Sequence, residues 1–169
     1  MTDQQQMDNF VGLSAVLTGF NKSIIAPTID PINVKAEYFA KFTKEISNYQ
    51  DILDKYAALK TITPALSDQQ IGQQILANSA YETPCRQLIF LWYSGAWGSV
   101  VTTECTNKET GKTTVTKTVA SNMLSAKSYT QGLAWQVMQS HPMGDSNYRY
   151  GYWAQQPADL DKYTGNSND

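Results

Sequence analysis

Apolar positions at helical spacing dominate residues 10–95 of the chain. Phe10, Leu13 and Leu17 mark one face of a helix that stops at Thr18-Gly19, where glycine accepts the left-handed turn that ends helices. Asp30-Pro31 offers a cap followed by the one helical position where proline is welcome. It predicts a helix with Ile32, Phe39, Phe42 and Ile46 on one face, running to about Ser47. A further segment carries Ile52, Leu53, Tyr56 and Leu59 and breaks before Pro64. Ser67-Asp-Gln-Gln70 is a capping-box pattern and opens a short helix through Ile71, Ile75 and Leu76, ending near Asn78. Thr83-Pro84 repeats the cap-plus-proline start. The helix it predicts contains Leu88-Ile-Phe-Leu-Trp-Tyr93, apolar on every side, and ends at Ser94-Gly95. Such a helix must be covered all round, by its own domain or partly by a partner.

Beyond this point the period changes. Residues 99–105 and 112–119 are rich in β-branched side chains, and the link between them holds Asn107 and Gly111, so a β-hairpin is predicted. Its Thr and Lys content puts one face in water, and two strands alone are marginally stable, so the hairpin must lean on helices or on another chain. A last helix starts near Ser125 and carries Tyr129, Leu133 and Val137, with Trp135 and Met138 on flanking faces. After Ser140 prolines and glycines exclude a long helix. The pattern therefore predicts a mainly α, bundle-like domain of five or six helices with one β-hairpin and an extended aromatic C-terminal arm. One domain covers 1–158, with the arm from about 141, and 159–169 is a polar tail that frays.

Composition narrows the function classes. The 169 residues are 41% hydrophobic and only 17% charged, below the usual share of about 25%, and the net charge is −2. There is no basic stripe for nucleic acid and no cationic helix for a membrane surface. Four tryptophans and ten tyrosines in a weakly charged chain suit a protein interface, where Tyr and Trp are enriched and Lys and Glu depleted. The longest apolar run, 88–93, falls far short of the roughly 18 residues of a membrane span. Residues 1–6 are polar and lack the charged start and apolar middle of a signal peptide.

Catalysis needs a positioned acid, base, nucleophile or metal. The one histidine, His141, rules out a multi-histidine metal site. No serine lies in a Gly-x-Ser-x-Gly elbow, and there is no dinucleotide or phosphate-binding glycine motif. His141 reads as a residue that fixes the turn before Pro142 or meets a partner, with a proton relay as the enzymatic alternative. Cys85 and Cys105 lack metal-site spacing and are too few for a disulfide framework. A buried thiol with a strand thiol, a bridge between the two, and a bond to a partner all remain open. Tyr148, Tyr150, Tyr152 and Trp153 either pack over their own domain or form an arm on a second protein. A stand-alone sugar or small-ligand module that uses this Tyr/Trp-rich segment is the main alternative function.

Three stretches in order carry a resemblance: Leu13-Ser-Ala-Val-Leu-Thr-Gly19; Leu91-Trp-Tyr-Ser-Gly-Ala-Trp97; and Ser128-Tyr-Thr-Gln-Gly-Leu-Ala-Trp135, leading to His141-Pro-Met-Gly144 and Gly151-Tyr-Trp-Ala154. Over about residues 10 to 157 the chain resembles the small subunits of bacterial membrane-bound, flavin-dependent sorbitol, fructose and glucose dehydrogenases. The resemblance implies a large partner subunit, similar to glucose-methanol-choline oxidoreductases, that holds FAD and the substrate. It also implies a multihaem cytochrome c subunit in some complexes, and a small subunit without a cofactor that supports folding and export of its partner. Members of that family usually carry a twin-arginine leader, which these first residues lack. The expected address is the periplasmic side of the inner membrane where a leader has been removed, and otherwise the cytoplasm. The segment around 106–111 stands as an insertion relative to the family pattern. The expected partner-facing residues are Trp92, Tyr93, Trp97, His141, Pro142, Met143, Tyr150, Tyr152 and Trp153, with no catalytic, cofactor or metal residues in this chain.

Overall fold

The computed structural model describes residues 2–106, 111 and 113–142. These form a mainly helical domain with one small antiparallel sheet, the architecture that the hydrophobic pattern predicts. In chain order they are α1 (Asp3–Thr18), α2 (Lys22–Ile25), α3 (Val34–Glu45), α4 (Tyr49–Lys60), α5 (Asp68–Leu76), α6 (Ser79–Ser94), β1 (Ala96–Thr106), β2 (Thr113–Met123), α7 (Ala126–Thr130) and α8 (Leu133–Val137). The short α2 and the division of the last helix into two bring the segments above the expected five or six. The arm beyond Pro142 and the tail 159–169 lie outside the described residues.

Helix α1 is the axis of the bundle and packs against α2 to α6. It begins earlier than its apolar run, because Thr2 and Gln5 close a reciprocal capping box, Gln5 N donating to Thr2 Oγ1 at 3.3 Å and Thr2 N to Gln5 Oε1 at 2.9 Å. It ends at Gly19, in the left-handed conformation expected there. The predicted box of α5 is likewise formed, with Gln70 N donating to Ser67 Oγ at 3.2 Å and Ser67 N to Gln70 Oε1 at 2.9 Å. Phe10, Leu13, Tyr38, Phe42, Leu88 and Leu91 are fully buried at the centre. Each large side chain withdrawn from water contributes about 1.5–3 kcal/mol of transfer free energy.

Three boundaries differ from the sequence reading, each for a local reason. Asp30 does not cap α3. Its Oδ1 accepts from the Asn33 amide at 2.6 Å, its other oxygen pairs with Lys35, and Asn33 takes a left-handed conformation, so the helix starts only at Val34. Burial pushes the Asp30 carboxyl up, but Lys35 and the amides of Asn33 and Ile32 outweigh it and hold the group below its ordinary value. Helix α6 does not begin at Thr83-Pro84. It begins at Ser79, capped by Asn78 Oδ1 on the Ala80 amide at 2.9 Å, and runs through Pro84. Proline cannot donate to the carbonyl four residues back, and that carbonyl, on Ala80, accepts from Asn48 Nδ2 at 3.1 Å instead. The side chain on α4's cap thus replaces the hydrogen bond that proline removes. Finally, the predicted Ser125 helix is two short ones, broken at Gln131–Gly132, so Leu133 is buried while Val137 is 40% exposed.

The hairpin is longer at its base than predicted. Its register runs without interruption from Ala96 opposite Met123 to Thr106 opposite Thr113. β1 rests on α6 and β2 touches α7. No helix among the described residues is long and apolar enough to cross a membrane.

Buried phenols make an alkaline prediction. Burial, then the charge of Asp68, pushes Tyr56 up to about 12, and burial, then Glu37, raises Tyr38 from its ordinary value of 10.0. Because the folded values lie above the unfolded ones, the neutral phenols contribute their full stability below the ordinary phenol value. That stability declines as pH rises from there through the folded values. Denaturant melts should therefore weaken progressively above about pH 10, with Tyr56→Phe showing a shallower decline. An equal decline in the variant would show that Tyr56 is not a source of it.

Candidate functional site

The three stretches singled out in the sequence meet at one place. Gly95 ends α6 in a left-handed turn, φ 72°, and its amide donates to Leu91 O. Its backbone lies against the start of the α7–α8 segment so closely that a Cβ would overlap the carbonyl oxygen of Ser128. Ser128 is fully buried, and its Oγ donates to Gly95 O at 2.7 Å while accepting from the Ser125 amide at 2.9 Å. Leu124 N donates to Gly95 O as well. At Gly132 a Cβ would lie 2.8 Å from Tyr93 O, so this second glycine admits the other side of the same close approach.

The end of α1 joins them. Tyr93 Oη donates to Thr18 O at 3.0 Å, and the Tyr93 ring meets Phe20 edge-on at 6.0 Å. Burial raises the Tyr93 phenol above its ordinary value, so it stays a donor. Helix α3 braces the assembly from beneath, with Tyr38 Oη donating to Ser128 O at 3.2 Å and Ser125 Oγ to Glu37 at 3.0 Å. The junction fixes the departure of the ribbon at Ala96 and holds the α7–α8 segment against the end of α6.

The expected partner-facing residues divide. Trp92 is 2% exposed, set between Tyr38 at 4.7 Å and Phe10 at 6.4 Å, and so belongs to the core rather than to a surface. Its place at the centre of an all-round apolar run is the reason. Tyr93 is half-buried and ties the junction. Trp97 is half-buried on β1, with the Lys41 ammonium 5.7 Å from its ring centre, and together with Asn122, Met123 and Leu124 these residues line a shallow cleft of about 240 Å³. His141 is half-buried, its Nδ1 2.9 Å from Pro142 O, a contact that places the proton on that nitrogen, and Pro142 is buried. Met143, Tyr150, Tyr152 and Trp153 lie outside the described residues.

Sequence reasoning missed the packing role of Ser128 and Gly132. Both stood within the quoted motifs, but glycine in a helical pattern carries no sign of the carbonyl that presses on it. It also missed the pair formed by Tyr129 and Trp135, edge-on at 5.4 Å, with Trp135 Nε1 donating to Tyr129 O at 2.8 Å. Outside the junction, Cys85 is a free, buried thiol that burial pushes up to about 12, which makes it an inert core residue. Among the described residues no group of three or more His, Cys, Asp or Glu side chains is placed to hold a metal. Chemically the junction offers satisfied hydrogen bonds, exposed Met123, Val137 and Met138, and a half-buried indole. Compared with models of known families, with characterised proteins and with solved structures, the chain matches none.

Proposed function

We propose that this chain is a non-catalytic accessory subunit that binds and stabilises the FAD-containing large subunit of a sugar, polyol or alcohol dehydrogenase. The observation that carries the reading is the convergence of the three family-like stretches on one junction. Residues scattered across the sequence, 13–19, 91–97 and 128–135, hold one another by hydrogen bonds and glycine contacts there. An arrangement of this kind holds α7 and α8 against the end of α6, and in this reading the residues from 141 to 153 meet the second protein. Met123, Val137 and Met138, 40% to 60% exposed, supply apolar area for such a contact. Burial of such area on a partner is favourable by about 25 cal/mol per Å², against a substantial association entropy.

The flavin and substrate belong to the large subunit in this reading, with a multihaem cytochrome c as a further member in some complexes, and with the periplasmic face of the inner membrane as its place where a leader has been removed and the cytoplasm otherwise. The purified chain alone is expected to show no flavin or haem absorbance and to gain soluble yield on co-expression with the large chain. A flavin band near one per chain in the isolated protein would overturn the assignment of FAD to the partner.

A further inference from the structure

We propose that α7 and α8 form a latch that opens from α3 and the end of α6 while the helical body, α1 to α6, stays folded. This goes beyond the subunit reading and does not depend on it. The two parts are held by different forces. Among the described residues, the buried apolar cluster runs from Phe10 to Trp92 and takes only Leu133 from beyond it. Burial of apolar side chains is the main source of stability, so the body has nearly all of that source and the latch very little.

Hydrogen bonds hold the latch instead. Ser128 Oγ donates to Gly95 O at 2.7 Å, Tyr38 Oη to Ser128 O at 3.2 Å, and Ser125 Oγ to Glu37 Oε2 at 3.0 Å. Each is replaced by a bond to water on opening, so its net contribution is small. Much of the segment already meets solvent, with Ala126, Lys127, Gln131 and 137–140 exposed. Helices of five residues are far too short to persist alone, so release of the latch melts both. Few buried apolar contacts and solvent-exposed backbone hydrogen bonds mark the segments of a protein that open before the rest. Opening removes these partners from Tyr38 and Glu37 of α3 and from Gly95 at the base of the ribbon.

The test is native-state hydrogen exchange of the full chain, followed amide by amide as urea is raised. The amides of Tyr129, Gln131, Met138 and Ser140 are bonded within the latch. They should exchange through one shared opening, about tenfold or more ahead of amides in the middle of α1 and α4, with a shallow urea dependence because little surface is exposed. Two variants separate the latch from the body. Ile52→Val, at a fully buried position of α4, should speed exchange in α1 and α4 about fivefold. It should leave the latch amides unmoved, since the body stays folded when the latch opens. Ser128→Ala removes the hydroxyl bonded to Gly95 O and should speed the latch amides about tenfold. Latch amides that follow those of α4, in urea or in Ile52→Val, would mean that α7 and α8 leave only when the whole domain unfolds, and would overturn the proposal. Latch amides that Ser128→Ala does not move would overturn it as well.

Discussion

Gly95→Ala is expected to cost the domain about 3 kcal/mol or more, among the largest losses available from adding a single carbon. Two effects combine at this position. The backbone is left-handed, which charges any residue with a Cβ roughly 1–2 kcal/mol. The new Cβ would also overlap the Ser128 carbonyl, and forcing packed backbone apart costs about 1–3 kcal/mol further. Gly19 separates the two contributions. It is left-handed as well, but nothing lies within 4 Å of the place where its Cβ would go. Gly19→Ala should therefore lose only the conformational part, about 1 kcal/mol. Urea midpoints at unchanged m-value measure both. Equal losses at the two glycines would mean that the junction between α6 and α7 yields easily and does not hold the two elements in place.

Truncation after Pro142 is expected to leave the helical domain folded while abolishing stable association with the proposed large subunit. The buried core side chains named above, from Phe10 to Leu133, lie before that point, and Pro142 itself is buried, so the cut removes none of them. The removed segment holds Tyr148, Tyr150, Tyr152 and Trp153. Rings of this kind are the commonest anchors of protein interfaces. Trp153→Ala and Tyr152→Ala should each weaken the complex by about 2 kcal/mol, near thirtyfold in Kd, as central anchors do. Circular dichroism of the truncated chain and its co-purification with the flavoprotein decide the matter. Retained helicity with lost co-purification is the expected pair. Lost helicity, or unchanged co-purification, would place the rings on their own domain.

Much of the fold was legible because its signals are local. The capping box at Ser67 and Gln70, the glycine stops at 19 and 95, and the shift from helical spacing to β-branched strands after 98 each act within a few residues. Where the reading failed, a distant group decided. Thr83-Pro84 looks like a helix start, and it is the Asn48 side chain on Ala80 O that lets α6 continue through the proline. Tyr129, Leu133 and Val137 look like one helical stripe, and the approach of Gly132 to Tyr93 O accompanies the break between α7 and α8. The site was legible in the same measure. Tyr93 and Trp97 stand at the junction and its cleft. Trp92 was misplaced because its aromaticity suits an interface and a core equally, and only its neighbours Tyr38 and Phe10 distinguish the two. Ser128 was invisible as a hub because its partners lie in α3 and at the end of α6.

The measurement that bears most directly on the accessory-subunit reading is affinity purification of this chain co-expressed with the flavin-binding large chain proposed as its partner, with an absorbance spectrum and a mass of the eluted species. The expected result is an equimolar complex with one flavin, bound to the large chain, and little soluble large chain when this one is omitted. Recovery of this chain free of the flavoprotein, with the large chain equally soluble and flavin-loaded in its absence, would contradict it.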